Sequence, residues 1–182
     1  MLQFIVLFIS LIFQFGELTT DDFSSKINKL VEKQLDKNFK IETRLIEFEP
    51  ELQNTQASNS MFYYIHNTDN QSIGIAVITN ANGCIIGGCG INKSLESRFE
   101  KFHFLSIYNI EKELQALVIL DYPGEHGFEI SAKWWLKQFI GRTQNKHIYG
   151  NNIDAISGAT ISGQSVVNEV NKINKIIAQI DL

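Results

Sequence analysis

The sequence lacks any concentration of positive charge. It carries 16 Lys and Arg against 20 Asp and Glu, a formal net charge of -4 at pH 7, and no dense basic run occurs. Nucleic acids and anionic membranes select clustered Lys and Arg. The charge pattern therefore argues against a nucleic-acid partner or an anionic-membrane partner.

Cysteine is almost absent as well. The chain has only 2 cysteines, Cys84 and Cys89, which are too few for a zinc site. In an exported protein this pair is a candidate disulfide, because Gly87-Gly88 between them permits a tight backbone. The alternative is that both are small buried side chains in a pair of strands.

Metal-ligand spacing and a hydrolase motif are also missing. No carboxylate or Cys stands at ligand spacing to any of the four histidines: His66, His103, His126 and His147. Ser157 lacks the Gly-x-Ser-x-Gly turn of a hydrolase nucleophile. We therefore predict no metal site and no catalytic residue of these classes.

One long apolar run stands at the start. Residues 1–16 carry no charge, and residues 2–15 are almost wholly apolar. A spanning helix needs about 20 apolar residues, so this shorter run suits a signal peptide. Alternatives are a short uncleaved anchor, which would associate the protein with a membrane, and a buried first strand or helix. We expect export, to a periplasmic or membrane-anchored position facing outside the cytoplasm.

The remaining chain suits one domain. Its 182 residues are 44% hydrophobic and 20% charged, which excludes disorder over most of the length. We expect an N-terminal helix and linker in residues 17–60 and the principal domain in residues 61–182.

Periodicity predicts the elements of this domain. Ile27, Leu30, Val31 and Leu35 fall at helical spacing and predict a helix over 24–36. Runs rich in Val, Ile, Phe and Tyr predict strands over 39–48, 61–66, 73–79, 102–109 and 114–121. Turns are expected at 67–70, 80–83 and 109–113, and loops at 122–127 and 142–152. A short helix with Ser131 as N-cap and a last helix over 163–180 complete the pattern. The predicted fold is α+β: an antiparallel sheet packed against N- and C-terminal helices.

A turn of small residues precedes the last helix. The first turn of a helix has unpaired N–H groups and the positive end of the dipole, so it attracts phosphate. Gly158 and Ala159 leave room beside the backbone, Thr160 supplies a hydroxyl, and Asp154 is placed to cap or brace the turn. The plainer alternative is an ordinary N-cap of Ser or Thr.

The segment Asp154-Ala155-Ile156-Ser157-Gly158-Ala159-Thr160-Ile161-Ser162 resembles the Asp-x-x-Ser-Gly-Ala-Thr-x-Ser/Thr signature of the FMN-binding domain. That family includes the covalent-FMN subunits of sodium-translocating quinone reductase and of the Rnf electron-transport complex. A flavin transferase there joins the signature Thr to the phosphate of FMN. The resemblance implies a phosphoester between FMN and Thr160. It also implies a cofactor site formed around Thr160 by Asp154, Ser157, Gly158, Ala159 and Ser162.

A weaker resemblance lies upstream. The loop Tyr122-Pro123-Gly124-Glu125-His126-Gly127 is similar to the family's Thr-Pro-Gly loop, with Tyr122 in place of Thr. This implies that Pro123, Gly124 and His126 lie near the flavin. Trp134 and Trp135 are candidates to stack on the isoalloxazine ring, although at least one of them must pack in the core.

The resemblance implies an exported electron carrier with covalent FMN. Its partners would be a flavin transferase and the redox proteins of an electron-transport chain. Two other classes stay open: a small FMN-dependent reductase, for which the chain is too short to add a substrate domain, and a flavin-free binding module with the same fold.

Overall fold

Residues 20–35, 39–45, 59–85, 99–141 and 146–181 are described by a computed structural model. The helices are α1 (Thr20–Gln34), α2 (Lys133–Leu136) and α3 (Thr160–Ile177). The strands are β1 (Phe39–Leu45), β2 (Ser60–Asn67), β3 (Ser72–Ile85), β4 (Phe99–Asn109) and β5 (Leu114–Asp121). Two 3-10 helices, Phe128–Ser131 and Lys137–Phe139, flank α2.

The strands form one antiparallel sheet in the order β1-β2-β3-β4-β5. The turn between β2 and β3 is held by the Asn67 side chain, which accepts hydrogen bonds from the amides of Asp69 and Gln71. Lys112, with a φ of 64°, occupies the left-handed position in the hairpin between β4 and β5. Both turns agree with the prediction from sequence.

Helix α1 covers one face of the sheet. Ile27 and Val31 are buried in a cluster with Ile65, Leu105 and Ile107. The Lys26 ammonium, next to Ile27 in sequence, donates a hydrogen bond to the Leu120 carbonyl at 2.7 Å. The N-terminal helix therefore packs on the sheet as predicted, although it begins four residues before the expected start.

Helix α3 and the segment around α2 cover the opposite face. Val166, Val170 and Ile173 of α3 are fully or almost fully buried in the larger core cluster. Trp135 and Phe139 pack edge to face within it, with ring centroids 5.1 Å apart. The fold is therefore a single α+β domain in which helices cover both faces of a five-stranded antiparallel sheet.

The predicted turn at residues 80–83 is wrong, because β3 continues through it. In the pairing of β3 with β4, Asn80 lies opposite His103 and Asn82 lies opposite Lys101. Ala81 between them is only 2% exposed and belongs to the core. Pairing with a neighbouring strand and burial therefore override the local turn preference of Asn and Gly.

Two helix starts also differ from the prediction. Ser131 does not cap α2, because it ends a 3-10 helix and Ala132 occupies the N-cap position. Helix α3 begins at Thr160 instead of Gly163 and ends at Ile177. The true start lies earlier because the apolar stripe that predicted the helix begins only at its second turn.

Some predictions fall outside the described residues: the apolar segment 1–16, the strand end at 46–48 and Cys89. Cys84 is buried at the end of β3. None of the helices in the described ranges is both long and apolar enough to cross a membrane. No group of His, Cys, Asp and Glu in those ranges is arranged to hold a metal ion.

A buried hydrogen bond joins the sheet to α3, and its removal by substitution tests this packing. The Tyr108 hydroxyl donates to the Asn174 side-chain oxygen at 2.8 Å, and Tyr108 is fully buried. We expect Tyr108→Phe to lower the free energy of unfolding in urea by about 1–3 kcal/mol, because Asn174 loses its donor. Tyr64→Phe is the matched control, since the Tyr64 hydroxyl makes an exposed 3.5 Å contact with Asp181. Equal losses in both variants would contradict the assignment.

Candidate functional site

Every third residue of the signature loop is buried in the core, and the residues between them are exposed. Ile153, Ile156 and Ala159 are 0%, 9% and 2% exposed and belong to the core. Ser157 and Thr160, which stand beside them in sequence, are exposed. The apolar anchors therefore hold the loop on the domain while the two hydroxyl-bearing residues face outward.

Asp154 braces the loop from its first residue. The Trp135 indole N–H donates to the Asp154 carbonyl at 2.8 Å. The Asp154 amide donates to the Gln138 side-chain oxygen at 3.0 Å, and the Gln138 amide group donates to the Asp154 carboxylate at 3.1 Å. Both the backbone and the side chain of Asp154 are thus fixed by the segment around α2. Of the two roles predicted for Asp154, the structure shows the brace.

Tyr149 holds the centre of the loop. Its hydroxyl accepts a hydrogen bond from the Ile156 amide at 2.8 Å and donates to the Ile156 carbonyl at 3.3 Å. The ring can approach only because residue 163 is glycine: a Cβ there would lie 2.5 Å from the Tyr149 Cε2 atom. Gly163 therefore serves close packing within α3.

The start of α3 has no side-chain cap. Its N-cap is Ala159, an unfavourable residue at that position, and no acidic residue lies in the first turn. Gly158 before it has a φ of 83°, which favours glycine. The ordinary N-cap that the sequence offered as an alternative is therefore wrong. The N–H groups of the first turn suit an anionic ligand, such as a phosphate, beside Thr160.

Tyr122 ties the Pro-Gly loop to α3. Its hydroxyl donates to the His126 carbonyl at 2.6 Å and lies 2.8 Å from the Ser162 hydroxyl. Burial raises the pKa of the Tyr122 phenol, which keeps it protonated, although the Ser162 hydrogen bond opposes the shift. Gly127 makes room, because a Cβ there would lie 2.5 Å from the Tyr122 oxygen.

The remaining predicted site residues, Ser162 and those of the Pro-Gly loop, differ in how far they are exposed. Ser162 is 1% exposed and faces Tyr122, so it lies behind the surface that carries Thr160. Pro123 and the His126 side chain are both exposed. Gly124 packs against Glu100, where a Cβ would lie 2.9 Å from the carboxyl carbon. Through Tyr122 the structure brings this loop to the first turn of α3.

The two tryptophans have different surroundings. Trp135 is fully buried in the core, whereas Trp134 is 57% exposed. The expectation that at least one of them packs in the core is confirmed. Only Trp134 presents its ring to solvent.

A groove runs from Thr160 along the outer face of α3. Its volume is about 710 Å³. The polar lining comes largely from α3, together with Asn82 of β3 and Lys146; the apolar lining comprises Ile85, Phe99 and Ile161. The groove was not predicted from the sequence. The signal for it was a polar stripe at helical spacing, formed by Gln164, Asn168 and Lys175, which line the groove.

Fold and site together define a class of protein. It is a single α+β domain that presents a hydroxyl at an uncapped helix start, beside a groove large enough for a nucleotide-sized ligand. Residues 72–175, more than half of the chain, match the sequence model of the FMN-binding domain.

The chain therefore belongs to the FMN-binding domain family, which includes subunits of the quinone reductase and Rnf types. Among curated proteins, no sequence matches the chain. Membership supports FMN as the cofactor and a flavin-binding role in electron transfer.

The clamp by Tyr149 has a local consequence. We expect Tyr149→Phe to speed hydrogen exchange of the Ile156 amide about fivefold, because one hydrogen bond contributes about 1 kcal/mol. Tyr63→Phe is the control. Within the described residues, the Tyr63 hydroxyl donates a hydrogen bond to the Met61 sulfur and to no atom of the signature loop. Unchanged Ile156 exchange in Tyr149→Phe would show that the hydroxyl does not hold the loop.

Proposed function

We propose that this protein is an exported electron carrier with FMN attached by a phosphoester bond to Thr160. The observation that carries the proposal is the position of Thr160. It is the exposed first residue of the 18-residue helix α3, and it lies within a complete family signature. Neighbouring Ala159 supplies no side-chain cap, so its side chain does not compete with a phosphate for the N–H groups of the first turn.

The residues around Thr160 fit such a group. The N–H groups at the start of α3 suit its phosphate, and the absence of acidic residues from the first turn avoids repulsion. The groove volume of about 710 Å³ falls within the range of small-molecule sites, about 300–1,000 Å³. Thr160 would hold the phosphate, while Gly158 and Ala159 keep bulky side chains away from it.

The chain's own contribution is to position the cofactor. FMN, when bound, supplies the redox chemistry, and the protein supplies position and electrostatics. The braces on Asp154 and Ile156 hold the loop in one arrangement. A rigid loop keeps the attachment residue at a constant place on the surface, where redox partners reach it.

Attachment requires a second protein. The family's flavin transferase uses FAD as its donor, so the bond between the FMN phosphorus and the oxygen that bridges the two phosphates of FAD would break. The Thr160 oxygen bonds to the FMN phosphorus, its proton passes to solvent, and AMP leaves with the bridging oxygen. The exposure of Thr160 suits this reaction, because the flavin transferase must reach the hydroxyl.

Export accounts for the apolar start of the sequence. Residues 1–16 serve as a signal peptide or short anchor, and the FMN-bearing domain lies outside the cytoplasm. Support comes from the uncharged run itself, which has the length of a signal-peptide core. The same compartment would contain the flavin transferase and the redox partners.

The attachment is tested by removing the hydroxyl. We expect Thr160→Ala, coexpressed with a flavin transferase, to lose all covalent flavin, measured as fluorescence of the denatured protein in a gel. Thr160→Val tests the same point with a shape close to that of threonine. The fold should survive, because the Thr160 side chain is exposed.

Ser157→Ala is the matched control for this experiment, since Ser157 is also exposed in the signature loop. It should keep the fluorescent band, because the Thr160 hydroxyl is still present. A band that persists in Thr160→Ala and disappears in Ser157→Ala would move the attachment to Ser157.

The compartment is tested with a reporter fused after Leu182. We expect a reporter that folds only outside the cytoplasm to be active, and removal of residues 1–16 to abolish that activity. The physical reason is that the apolar run is the part of the sequence that suits the export machinery. A reporter active only in the cytoplasm would contradict export.

A further inference from the structure

The two most exposed large apolar side chains belong to one short segment. Trp134 is 57% exposed and Phe128 is 56% exposed, the highest values among the large apolar side chains that the structure describes. Both lie in residues 128–137, which comprise the first 3-10 helix, α2 and the start of the second 3-10 helix. Single exposed apolar residues are common, whereas two aromatic rings on one segment indicate a contact surface.

The inner side of this segment is fixed in the core. Ile130 and Trp135 are both 0% exposed and belong to the larger core cluster. Because these anchors face inward, the segment cannot turn its two outer rings toward the core. We call the outer side, which carries Phe128, Lys133, Trp134 and Lys137, the aromatic face.

Two lysines accompany the rings of the aromatic face. Lys133 and Lys137 are exposed and stand on either side of Trp134 in the sequence, and the acidic residue of the segment is Glu129. An exposed tryptophan beside lysines is typical of the membrane–water interface. The indole ring lies at the level of the lipid headgroups there, and a lysine ammonium reaches the lipid phosphate. The segment has little net charge, so apolar contact must supply most of the binding.

Helix α1 begins toward the end of the sheet that carries Phe128. The Lys26 ammonium, in the first half of α1, donates a hydrogen bond to the carbonyl of Leu120, near the end of β5. Leu35, just after α1, lies beside Gly74 near the start of β3, at the opposite end of the sheet. The Pro-Gly loop connects the end of β5 to Phe128. The start of α1 and the aromatic face therefore both adjoin the end of the edge strand β5.

The apolar run at residues 2–15 gives a reason for a second membrane contact. It precedes α1 in the sequence and is shorter than the about 20 apolar residues that a spanning helix needs. Stable attachment to a membrane generally takes two weak signals, because one alone gives only reversible binding. The aromatic face is a second apolar contact, and it is placed on the folded domain itself.

We propose that the aromatic face is a membrane-contact surface. Phe128 and Trp134 enter the interface of a phosphatidylcholine bilayer, and Lys133 and Lys137 reach the lipid phosphates. The two rings drive the binding, so it needs no anionic lipid, in agreement with the lack of basic runs in the chain. The inference goes beyond the proposed function and does not depend on the flavin.

Tryptophan fluorescence tests this surface, because the chain has 2 tryptophans and Trp135 is fully buried. When the full chain is mixed with phosphatidylcholine vesicles, we expect the Trp134 emission to shift to shorter wavelength. Quenching by acrylamide should fall toward that of a buried tryptophan. Lipids brominated near the headgroup should quench the emission more than lipids brominated near the chain end. An apolar run that tethered the chain by itself would leave Trp134 in water, so the signal is specific to the aromatic face.

Matched substitutions separate the aromatic face from other exposed apolar residues. We expect Phe128→Ser to lower the equilibrium constant for shielding Trp134 about tenfold, the order of magnitude for burial of one large apolar side chain. Ile110→Ser is the control, because Ile110 is 48% exposed in the hairpin between β4 and β5, at the opposite end of the sheet. It should leave the shift unchanged. Both variants should fold, since both side chains are exposed.

Three results would overturn the proposal. Emission and quenching of Trp134 that vesicles leave unchanged would show that the face stays in water, and a shift that appears instead on self-association would assign it to a second copy of the chain. Equal losses in Phe128→Ser and Ile110→Ser would show that the binding is not specific to this face. A shift that requires anionic lipid and disappears at high salt would show that charge, and not the rings, drives the binding. Flavin attachment is read separately from the mass of the chain, so neither experiment decides the other.

Discussion

The burial of three apolar side chains in the signature loop is the constraint on which the site depends. Ile153, Ile156 and Ala159 occupy the core, and their spacing leaves the residues between them facing outward. Helix α3 then starts without a side-chain cap, because its N-cap position is taken by one of these anchors. The same packing that stabilises the domain thus leaves Thr160 and the N–H groups beside it for an anionic ligand.

Two tyrosine hydroxyls hold the loops of the site in place by hydrogen bonds. Tyr149 fixes the signature loop at Ile156, and Tyr122 fixes the Pro-Gly loop at Ser162. Each tyrosine can come close because a glycine lies opposite, Gly163 for the first and Gly127 for the second. Ser162 of the signature therefore acts behind the site, holding two segments together.

Part of this arrangement could be predicted from the sequence. The signature marked Thr160, and runs of β-branched and aromatic residues marked the strands, because these signals are local. The extension of β3 through Asn80 could not be predicted, since its cause is pairing with β4. The braces on Asp154 come from residues far away in the chain, such as Gln138, and no spacing rule connects them. Those contacts exist only once the chain is folded.

The central claim is that FMN is bonded to the first residue of α3. The most direct measurement is fragmentation mass spectrometry of the tryptic peptide from His147 to Lys172, taken from protein produced in its native host. The account predicts an FMN increment localised to Thr160 by the fragments on either side of it. An increment on Ser157 or Ser162, or an unmodified peptide from cells that contain an active flavin transferase, would contradict it.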